Sequence, residues 1–219
     1  MQRRIVVITA GLGVPSSSRM LADQLGTAAR TQLEELGTGV DLDVVELRDF
    51  AVDIANNLVT GFAPPKLAQA IAKVTDADAL IAVTPVFSAS YSGLFKSFFD
   101  LLDPKALDGM PVLIGATGGS TRHSLVLDFA VRPLFSYFRA RTMATGVYAS
   151  PEDWGAAESG LSGLDVRIAQ AAGELASALA PQPGTVTPLE DRKAARRDHE
   201  QEKMESLPFE QLLAQISGR

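Results

Sequence analysis

The sequence predicts an α/β protein in which helices cover both faces of a parallel β-sheet. Short apolar segments of strand length alternate along the chain with longer segments in which apolar residues recur every three or four positions. The strand segments are largely apolar throughout, as expected for strands that are covered on both faces. Five strand–helix units in succession therefore predict a five-stranded parallel sheet.

The first unit pairs a short strand with a long helix. Residues 5–9 are a continuous run of β-branched side chains, and residues 18–36 carry apolar residues at helical spacing until Gly37 ends the segment. Residues 40–47 have spaced apolar positions, which are typical of a second, more exposed strand.

The later units follow the same alternation. A helix begins after Pro64 and Pro65, and a third, fully apolar strand occupies residues 79–83. Residues 94–102 are predicted to be helical. The last two units comprise strands at residues 111–116 and 142–149 and helices at residues 124–139, which include Pro133, and 160–179.

The composition bounds the class of protein. The 219 residues suffice for one well-buried domain, or for one domain plus an appendage. A formal charge of −6 argues against electrostatic binding of nucleic acid. The chain has no cysteine, which excludes disulfides and thiolate chemistry, and its first apolar run is too short for a signal peptide or a membrane span. We expect a cytoplasmic protein that binds neither nucleic acid nor membranes.

The chain is predicted to contain a domain at residues 1–180 and a charged, partly helical extension at residues 181–219. Prolines open the extension and charged residues dominate positions 190–205. A short apolar stripe follows, formed by Phe209, Leu212, Leu213 and Ile216. The extension is either a solvated helix or an arm that docks on a second subunit.

Three loops are candidates for ligand binding, because ligands of open α/β sheets bind beyond the carboxyl ends of the strands. The loops after the first, third and fourth predicted strands read AGLGVPSSSRM, PVFSASYSG and ATGGSTRHS. All three are rich in Gly, Ser and Thr, which permit close approach of the backbone and supply small hydrogen-bonding groups.

The first loop has the pattern of a phosphate site. Its glycines permit a sharp turn, and Ser16 and Ser18 lead into a helix whose free N–H groups favour an anion. Arg19 adds charged donors, and the neighbouring Met20 belongs to the same predicted binding segment. The simpler interpretation, that the serines only cap the helix, accounts for one serine and not for three.

A dinucleotide fingerprint is the alternative for this loop. Gly11 and Gly13 partly match G-x-G-x-x-G, and Glu46 or Asp49 would be the acid that binds the ribose. The third glycine is missing and Pro15 interrupts the pattern, so a terminal phosphate monoester fits the loop better.

The second loop is predicted to be a platform for a flat ring. Pro85 has no N–H and is predicted to end the third strand. Val86 and Phe87 then flank the ring and Ser88 faces its polar edge, although simple core packing is an alternative role for Phe87. The phenylalanines of the following helix are expected to be core or subunit-contact residues; they are Phe95, Phe98 and Phe99.

The third loop, residues 117–123, presents donors. Gly118 and Gly119 expose successive N–H groups that suit the carbonyl oxygens of a flat heterocycle. Arg122 is a candidate for a cofactor phosphate. His123 is either a surface residue or a contact to the ribose or phosphate of a nicotinamide cofactor.

Three segments together carry a resemblance to a known family. GLGVPSSSRM, TPVFSASYSGLFKSFFDLL and LIGATGGSTRHSLVLDFAVRPLF resemble the NAD(P)H-dependent FMN reductases of flavodoxin-like fold, in particular those that serve two-component FMN-dependent monooxygenases such as the alkanesulfonate system. The likeness covers about residues 4–180. It implies a three-layer α/β/α fold with strand order 2-1-3-4-5.

The resemblance also implies the residues of the FMN site. The phosphate would be held by Ser16, Ser18 and Arg19, and the isoalloxazine and ribityl chain would be lined by Pro85, Val86, Phe87 and Ser88. The pyrimidine edge would meet Thr117, Gly118, Gly119 and Ser120.

The chain departs from the family pattern at three places. Leu12, Gly13 and Val14 replace a Ser-x-Arg pattern, and Phe87 replaces a common tyrosine. Phe129 stands where some relatives that serve monooxygenases have a tyrosine on an irregular helix at the subunit contact.

The implied activity is transfer of a hydride from NADPH or NADH to FMN, which supplies reduced flavin to a partner monooxygenase. This chemistry belongs to the cofactor, so we predict no catalytic side chain and no metal. A homodimer or homotetramer is expected, because the Phe-rich helix and one flavin face would otherwise lack a wall. The alternatives are a flavodoxin-like electron carrier and a quinone- or azo-type reductase with tightly bound FMN.

Overall fold

Strands and helices alternate through the described part of the chain. The strands are β1 (Gln2–Thr9), β2 (Gly39–Glu46), β3 (Ala79–Phe87), β4 (Ser90–Tyr91), β5 (Pro111–Thr117), β6 (Arg141–Thr142) and β7 (Val147–Ala149). The helices are α1 (Ser17–Glu35), α2 (Ala51–Thr60), α3 (Pro65–Thr75), α4 (Gly93–Phe99), α5 (Arg132–Tyr137) and α6 (Gly163–Leu179).

These elements come from a computed structural model that describes residues 2–154 and 163–180. They belong to the first of two units into which the chain divides, Met1–Ala180 and Pro181–Arg219. The predicted charged extension and residues 160–162 of the predicted last helix lie outside the described residues. The helical content and the role of the extension therefore stay predictions. No helix within the described residues is long and apolar enough to cross a membrane.

The sheet is parallel along its main path, which has the order β2-β1-β3-β5-β6. This is the flavodoxin-like arrangement. β2 lies on one side of β1, and the later parallel strands are added on the other side. The prediction of exactly five strands is wrong, because the sheet contains seven strand segments. β4 is an added antiparallel strand on β3, and the predicted fifth strand is split into β6 and β7, which both pair with β5.

Side-chain hydrogen bonds account for the split of the fifth strand. The Arg132 guanidinium donates to the carbonyl oxygens of Met143 and Ala144 at 2.8 and 3.0 Å. The Glu174 carboxylate on α6 accepts from the backbone N–H of Thr145 at 2.9 Å. These side chains bond backbone groups that a continuous strand would use in its ladder.

Helices cover both faces of the sheet, as predicted. α1 and α6 pack on one face, where Leu25 and Leu175 belong to the same apolar cluster. Helices α2 to α5 pack on the other face around Phe95, Phe98 and Phe99, which are fully buried. The rings of Phe99 and Phe135 lie 5.0 Å apart edge to face, so the Phe-rich helix finds its apolar partners within the chain.

Two helical segments differ from their predictions. α2 was not predicted from the sequence, although Ala51, Ile54 and Leu58 stand at helical spacing; Ile54 is its only buried residue. The predicted helix at residues 124–139 is a π-helical turn at Leu127–Val131 followed by the short α5, with Pro133 near its start. Phe129, which stands where some of the resembled reductases have a tyrosine on an irregular helix, lies in this π-helical turn.

We expect Glu174→Gln to lower the free energy of unfolding at pH 7 by about 1 kcal/mol, because it weakens the hydrogen bonds to Thr145. Burial alone would raise the pKa of Glu174, but the hydrogen bonds from Thr145 outweigh it and hold the pKa below its ordinary value. A carboxylate with a lowered folded-state pKa stabilises the protein above its ordinary pKa, and this contribution is lost as the pH falls through the folded-state pKa.

Urea denaturation at several pH values measures this effect. The deficit of Glu174→Gln should begin to shrink as the pH falls below the ordinary pKa of glutamate, and it should vanish only below the lowered folded-state pKa, where the wild-type carboxyl is itself protonated. The exposed Glu34 offers a matched control, since Glu34→Gln makes the same charge change without these bonds. Equal losses in both variants would contradict the assigned role of Glu174.

Candidate active site

The three candidate loops meet at one edge of the sheet. Strands β1, β3 and β5 are parallel neighbours, so their carboxyl ends lie side by side, with Pro85 of β3 opposite Thr117 of β5. The hydroxyl oxygens of Ser18 and Thr117 are 2.7 Å apart, which joins the start of α1 to the end of β5. Residues predicted from three separate loops therefore come together.

A close approach of the backbone shapes the first loop. A Cβ atom on Gly11 would lie 1.9 Å from the Ser16 hydroxyl oxygen, so glycine is required while Ser16 keeps this position. Ser16 caps α1, and its hydroxyl accepts from the N–H of Arg19 at 3.2 Å. The simpler interpretation of the loop, helix capping, is therefore correct for Ser16. It does not explain Ser17 and Ser18.

The start of α1 presents free donors. The Met20 N–H makes the first backbone bond of the helix, to the Ser16 carbonyl at 3.0 Å. Among the described residues, the N–H groups of Ser16, Ser17 and Ser18 have no hydrogen-bond acceptor. The first turn of α1 contains no acidic side chain, so the positive end of the helix dipole is not neutralised there. This geometry suits an anion.

The predicted phosphate residues differ in their surroundings. Ser18 is only 2% exposed, whereas Met20 is an exposed apolar side chain. Arg19 donates to both oxygens of Asp23 at 2.8 and 3.0 Å and also pairs with Glu46. The hydrogen bond to Asp23 and the neighbouring charges raise the pKa of Arg19 above its ordinary value, against the opposing effect of burial. The charge of Arg19 is thus already balanced by two carboxylates.

Glu46 has a structural partner set that argues against the dinucleotide alternative. Besides Arg19, it pairs with Arg48 at 2.9 Å, and Arg48 donates to the Gly13 carbonyl at 2.9 Å. Asp49, the other candidate acid, lies 3.7 Å from Arg48. Both acids therefore support the first loop through arginine. Sequence reasoning missed this role of Arg48, since its contact with Gly13 joins positions that are far apart in the chain.

The second loop is a tight β-hairpin. β3 continues past Pro85 to Phe87, so the prediction that Pro85 ends the strand is wrong. Proline lacks an N–H but keeps its carbonyl acceptor, and the chain then turns through Ser88 and Ala89 into β4. Ser88 and Ala89 have φ values of 48° and 64°, as in a two-residue type I′ turn, which usually contains Gly or Asn.

The hairpin carries the predicted ring platform. Pro85 is buried, Val86 is half-buried and Phe87 is 46% exposed. The core-packing alternative for Phe87 therefore does not hold within this chain. Non-glycine residues in the left-handed region cost of order 1 kcal/mol or more each, and such strain is concentrated at functional sites.

The third loop is held by a tyrosine that sequence reasoning missed. The Tyr148 hydroxyl on β7 donates to the Ser120 carbonyl at 2.6 Å, and a Cβ atom on Gly118 would lie 2.2 Å from that hydroxyl. Burial and the charge of Asp153 raise the pKa of Tyr148. Tyr148 thus stays a neutral donor, and Gly118 permits its approach. Gly119 is exposed, with open space where a Cβ atom would lie.

An open pocket adjoins the second and third loops. It has a volume of about 360 Å³ and lies between the hairpin residues Ala89 and Ser90 and the segment at residues 122–130. Arg122 and His123 line it. A larger groove of about 610 Å³ lies between α1 and α6, away from the three loops. None of the residues predicted to bind FMN lines either of these two cavities, although Ala89 of the smaller one directly follows Ser88.

Several proteins similar to this chain are FMN reductases. The FMN reductase (NADPH) of Pseudomonas aeruginosa is 40% identical over 153 residues, which cover 69% of this chain and 78% of that protein. The NADH-dependent FMN reductase SfnF of Pseudomonas putida is 38% identical over 149 residues, covering 68% of this chain and 78% of that protein.

A solved structure matches the fold. An oxidoreductase from Corynebacterium diphtheriae superposes with a TM-score of 0.77 at 46% identity, and the match covers 81% of this chain and 96% of that one. The sequence profile described as NADPH-dependent FMN reductase matches residues 3–155, so the family resemblance predicted from three segments is confirmed. The chain therefore belongs to the NADPH-dependent FMN reductase family.

Proposed function

We propose that the three loops at the carboxyl edge of the sheet bind FMN and that the enzyme releases reduced FMN to a separate monooxygenase. The activity, transfer of a hydride from NAD(P)H to FMN, is that of the family to which the chain belongs. The observation that carries the site assignment is the convergence of the loops, which the contact between Ser18 and Thr117 maintains.

The first turn of α1 is the proposed phosphate site. Its free N–H groups at Ser16, Ser17 and Ser18 and its helix dipole fit a dianionic monoester. The buried Ser18 hydroxyl supports the turn through Thr117. Arg19, paired with two carboxylates, contributes by its long-range charge or by exchanging one carboxylate for the phosphate.

The second and third loops are the proposed walls for the ring. The exposed Phe87 side chain supplies an aromatic surface, with Val86 and Pro85 behind it and Ser88 at its edge. We propose that the backbone N–H of Gly119 and the Ser120 hydroxyl bind the pyrimidine edge of the flavin. Thr117 and Gly118 fix this loop to the sheet, since the Gly118 N–H donates to the Ala149 carbonyl at 3.1 Å.

The residues of the chain orient the ring and stabilise negative charge on it, whereas the bound FMN supplies the hydride-accepting chemistry. N–H donors in a loop that is already ordered stabilise negative charge without the cost of reorienting solvent. Tyr148 and the hairpin keep the two loops in place. The open edge leaves room for a nicotinamide ring against an exposed face.

The monooxygenase partner is supported by the resemblance and by one structural feature. The π-helical turn at Leu127–Val131 lies where some of the resembled reductases that serve monooxygenases have an irregular helix, although Phe129 replaces their tyrosine. One of the two related reductases is named for NADPH and the other for NADH. We therefore propose both nucleotides as reductants for this enzyme. The cytoplasmic location stays a prediction from the sequence.

A homo-oligomer is also proposed, on grounds that differ from those in the sequence. The Phe-rich helix is buried within the chain and needs no second copy. The exposed apolar residues of α2 and the adjoining loop instead require cover; they are Val52, Leu58, Val59 and Phe62. A two-fold contact between α2 helices would bury these residues against themselves.

Oxidation of NADPH or NADH on addition of FMN, followed by near-ultraviolet absorbance, tests the activity. We expect steady turnover with free FMN. For release to a partner, oxidised FMN should bind more tightly than reduced FMN in equilibrium titrations under anaerobic conditions. A single turnover without exchange of FMN would instead favour a carrier with tightly bound flavin.

Ser17→Asp is expected to weaken FMN binding by about tenfold or more, because it places a negative charge beside the proposed phosphate site. The same change should leave thermal stability unchanged or raise it, since an acidic residue in the first turn favours the helix dipole. Fluorescence titration with FMN and a melting curve measure the two effects. Ser17→Asn, which is uncharged, is the control, and an unchanged FMN titration in the Asp variant would contradict the phosphate assignment.

Val59→Glu is expected to convert the oligomer to a smaller species, because it buries a charge in the proposed α2 contact. Val59 is 87% exposed within the chain, so the change should not disturb the fold of the subunit. Light scattering at micromolar concentration gives the mass. Val166→Glu on α6, on the opposite face of the sheet, is the matched control, and a monomeric wild type would refute the contact.

A further inference from the structure

We propose that Arg122 and His123 bind the phosphate on the adenosine ribose of NADPH and make the enzyme favour NADPH over NADH. The inference rests on the proposed FMN site and adds a separate subsite to it. The two side chains line the pocket of about 360 Å³ beside the hairpin turn.

The position of the pocket suits the far end of a dinucleotide. Ala89 and Ser90 line it and directly follow Ser88 of the proposed ring platform. On its other side, Arg122 comes two residues after Ser120. A nicotinamide that lies against the ring must extend the rest of the dinucleotide over a neighbouring surface, and this pocket adjoins both ring-binding loops.

The charge of the pocket suits a phosphate. Among the described residues, the Arg122 guanidinium has no hydrogen bond or ion pair, and no carboxylate lines the pocket. Several other arginines are paired with carboxylates; they are Arg19, Arg48, Arg132 and Arg167. Arg122 therefore keeps its full charge and all its donors for a ligand, and guanidinium binds phosphate with two parallel hydrogen bonds.

The backbone around Arg122 is anchored to the flavin-facing loop. The Arg122 N–H donates to the Ser120 hydroxyl at 3.3 Å, and the His123 N–H donates to the Ser120 carbonyl at 3.2 Å. The same carbonyl accepts from Tyr148. The two basic side chains thus extend from a short turn whose position is set by the sheet, so a phosphate would meet them without ordering a free loop.

The remaining wall suits a purine ring. Leu125 is 62% and Phe129 is 79% exposed, and both line the pocket next to the buried Val126. An exposed aromatic ring beside a cation is a common setting for an adenine base, which stacks on the ring while its phosphate meets the cation. The pocket therefore presents a base-binding wall and a phosphate-binding wall together.

Calorimetric titration of the full-length protein with adenosine 2′,5′-bisphosphate and with adenosine 5′-monophosphate tests the proposal without turnover. We expect the bisphosphate to bind about tenfold more tightly, since the two probes differ only in the 2′-phosphate. Arg122→Ala should remove most of this preference and leave the monophosphate unchanged. Arg122→Lys should retain part of it, and the ratio of KM for NADH to KM for NADPH should fall in parallel in the Ala variant.

Arg4→Ala is the matched control, because Arg4 is an exposed arginine at the amino end of β1, on the opposite edge of the sheet. It should leave both titrations unchanged. Equal or undetectable binding of the two probes by the wild type, or an unaltered preference in Arg122→Ala, would overturn the proposal. Weakened FMN binding in Arg122→Ala with the preference intact would also overturn it, by assigning Arg122 to the flavin phosphate.

These outcomes are distinct from failure of the proposed function. If the wild type oxidises NADPH with FMN but Arg122→Ala keeps its preference, only the subsite is wrong. If Ser17→Asp does not affect FMN binding, the flavin site itself is misplaced. Light scattering on Arg122→Ala should show an unchanged mass, and a changed mass together with the lost preference would assign Arg122 to a subunit contact instead.

Discussion

The hydrogen bond between the Ser18 and Thr117 hydroxyls is the contact on which the candidate site depends. It is buried, and it joins the first turn of α1 to the last residue of β5. Parallel strands end at a common edge, so one contact across that edge aligns a helix terminus with the loops beside it. The free N–H groups of α1 and the donors of the third loop can then face a single ligand.

Close packing around this edge requires unusual backbone at a few positions. Gly11 and Gly118 leave room for a serine and a tyrosine hydroxyl, and Ser88 and Ala89 hold left-handed conformations in the hairpin turn. The fully buried strands and the phenylalanine cluster beneath supply the apolar burial that offsets such local strain. The apolar core thus stabilises the strained backbone of the loops at this edge of the sheet.

The arginines of the loops at this edge differ in whether a carboxylate balances their charge. Arg19 and Arg48 are committed to carboxylates and brace the first loop, so the proposed phosphate site there depends mainly on backbone donors. Arg122, across the edge, has no such partner among the described residues. Under the two proposals, the phosphates of the two ligands would be bound by different means, one by a helix terminus and the other by a guanidinium. The flavin and the nucleotide would then be recognised independently.

The sequence by itself determined the fold class, the two-sided cover of the sheet and which three loops meet at one edge, because hydrophobic periodicity and Gly/Ser-rich strand ends are local patterns. Only the tertiary structure decided that Arg19 pairs with Glu46, that Tyr148 holds the third loop, and that Arg132 and Glu174 divide the last strand. It also decided that the phenylalanines of α4 face inward. Each of these contacts joins elements whose proximity in space the order of residues does not reveal. Which of several possible partners a side chain contacts depends on distance and burial in the packed structure.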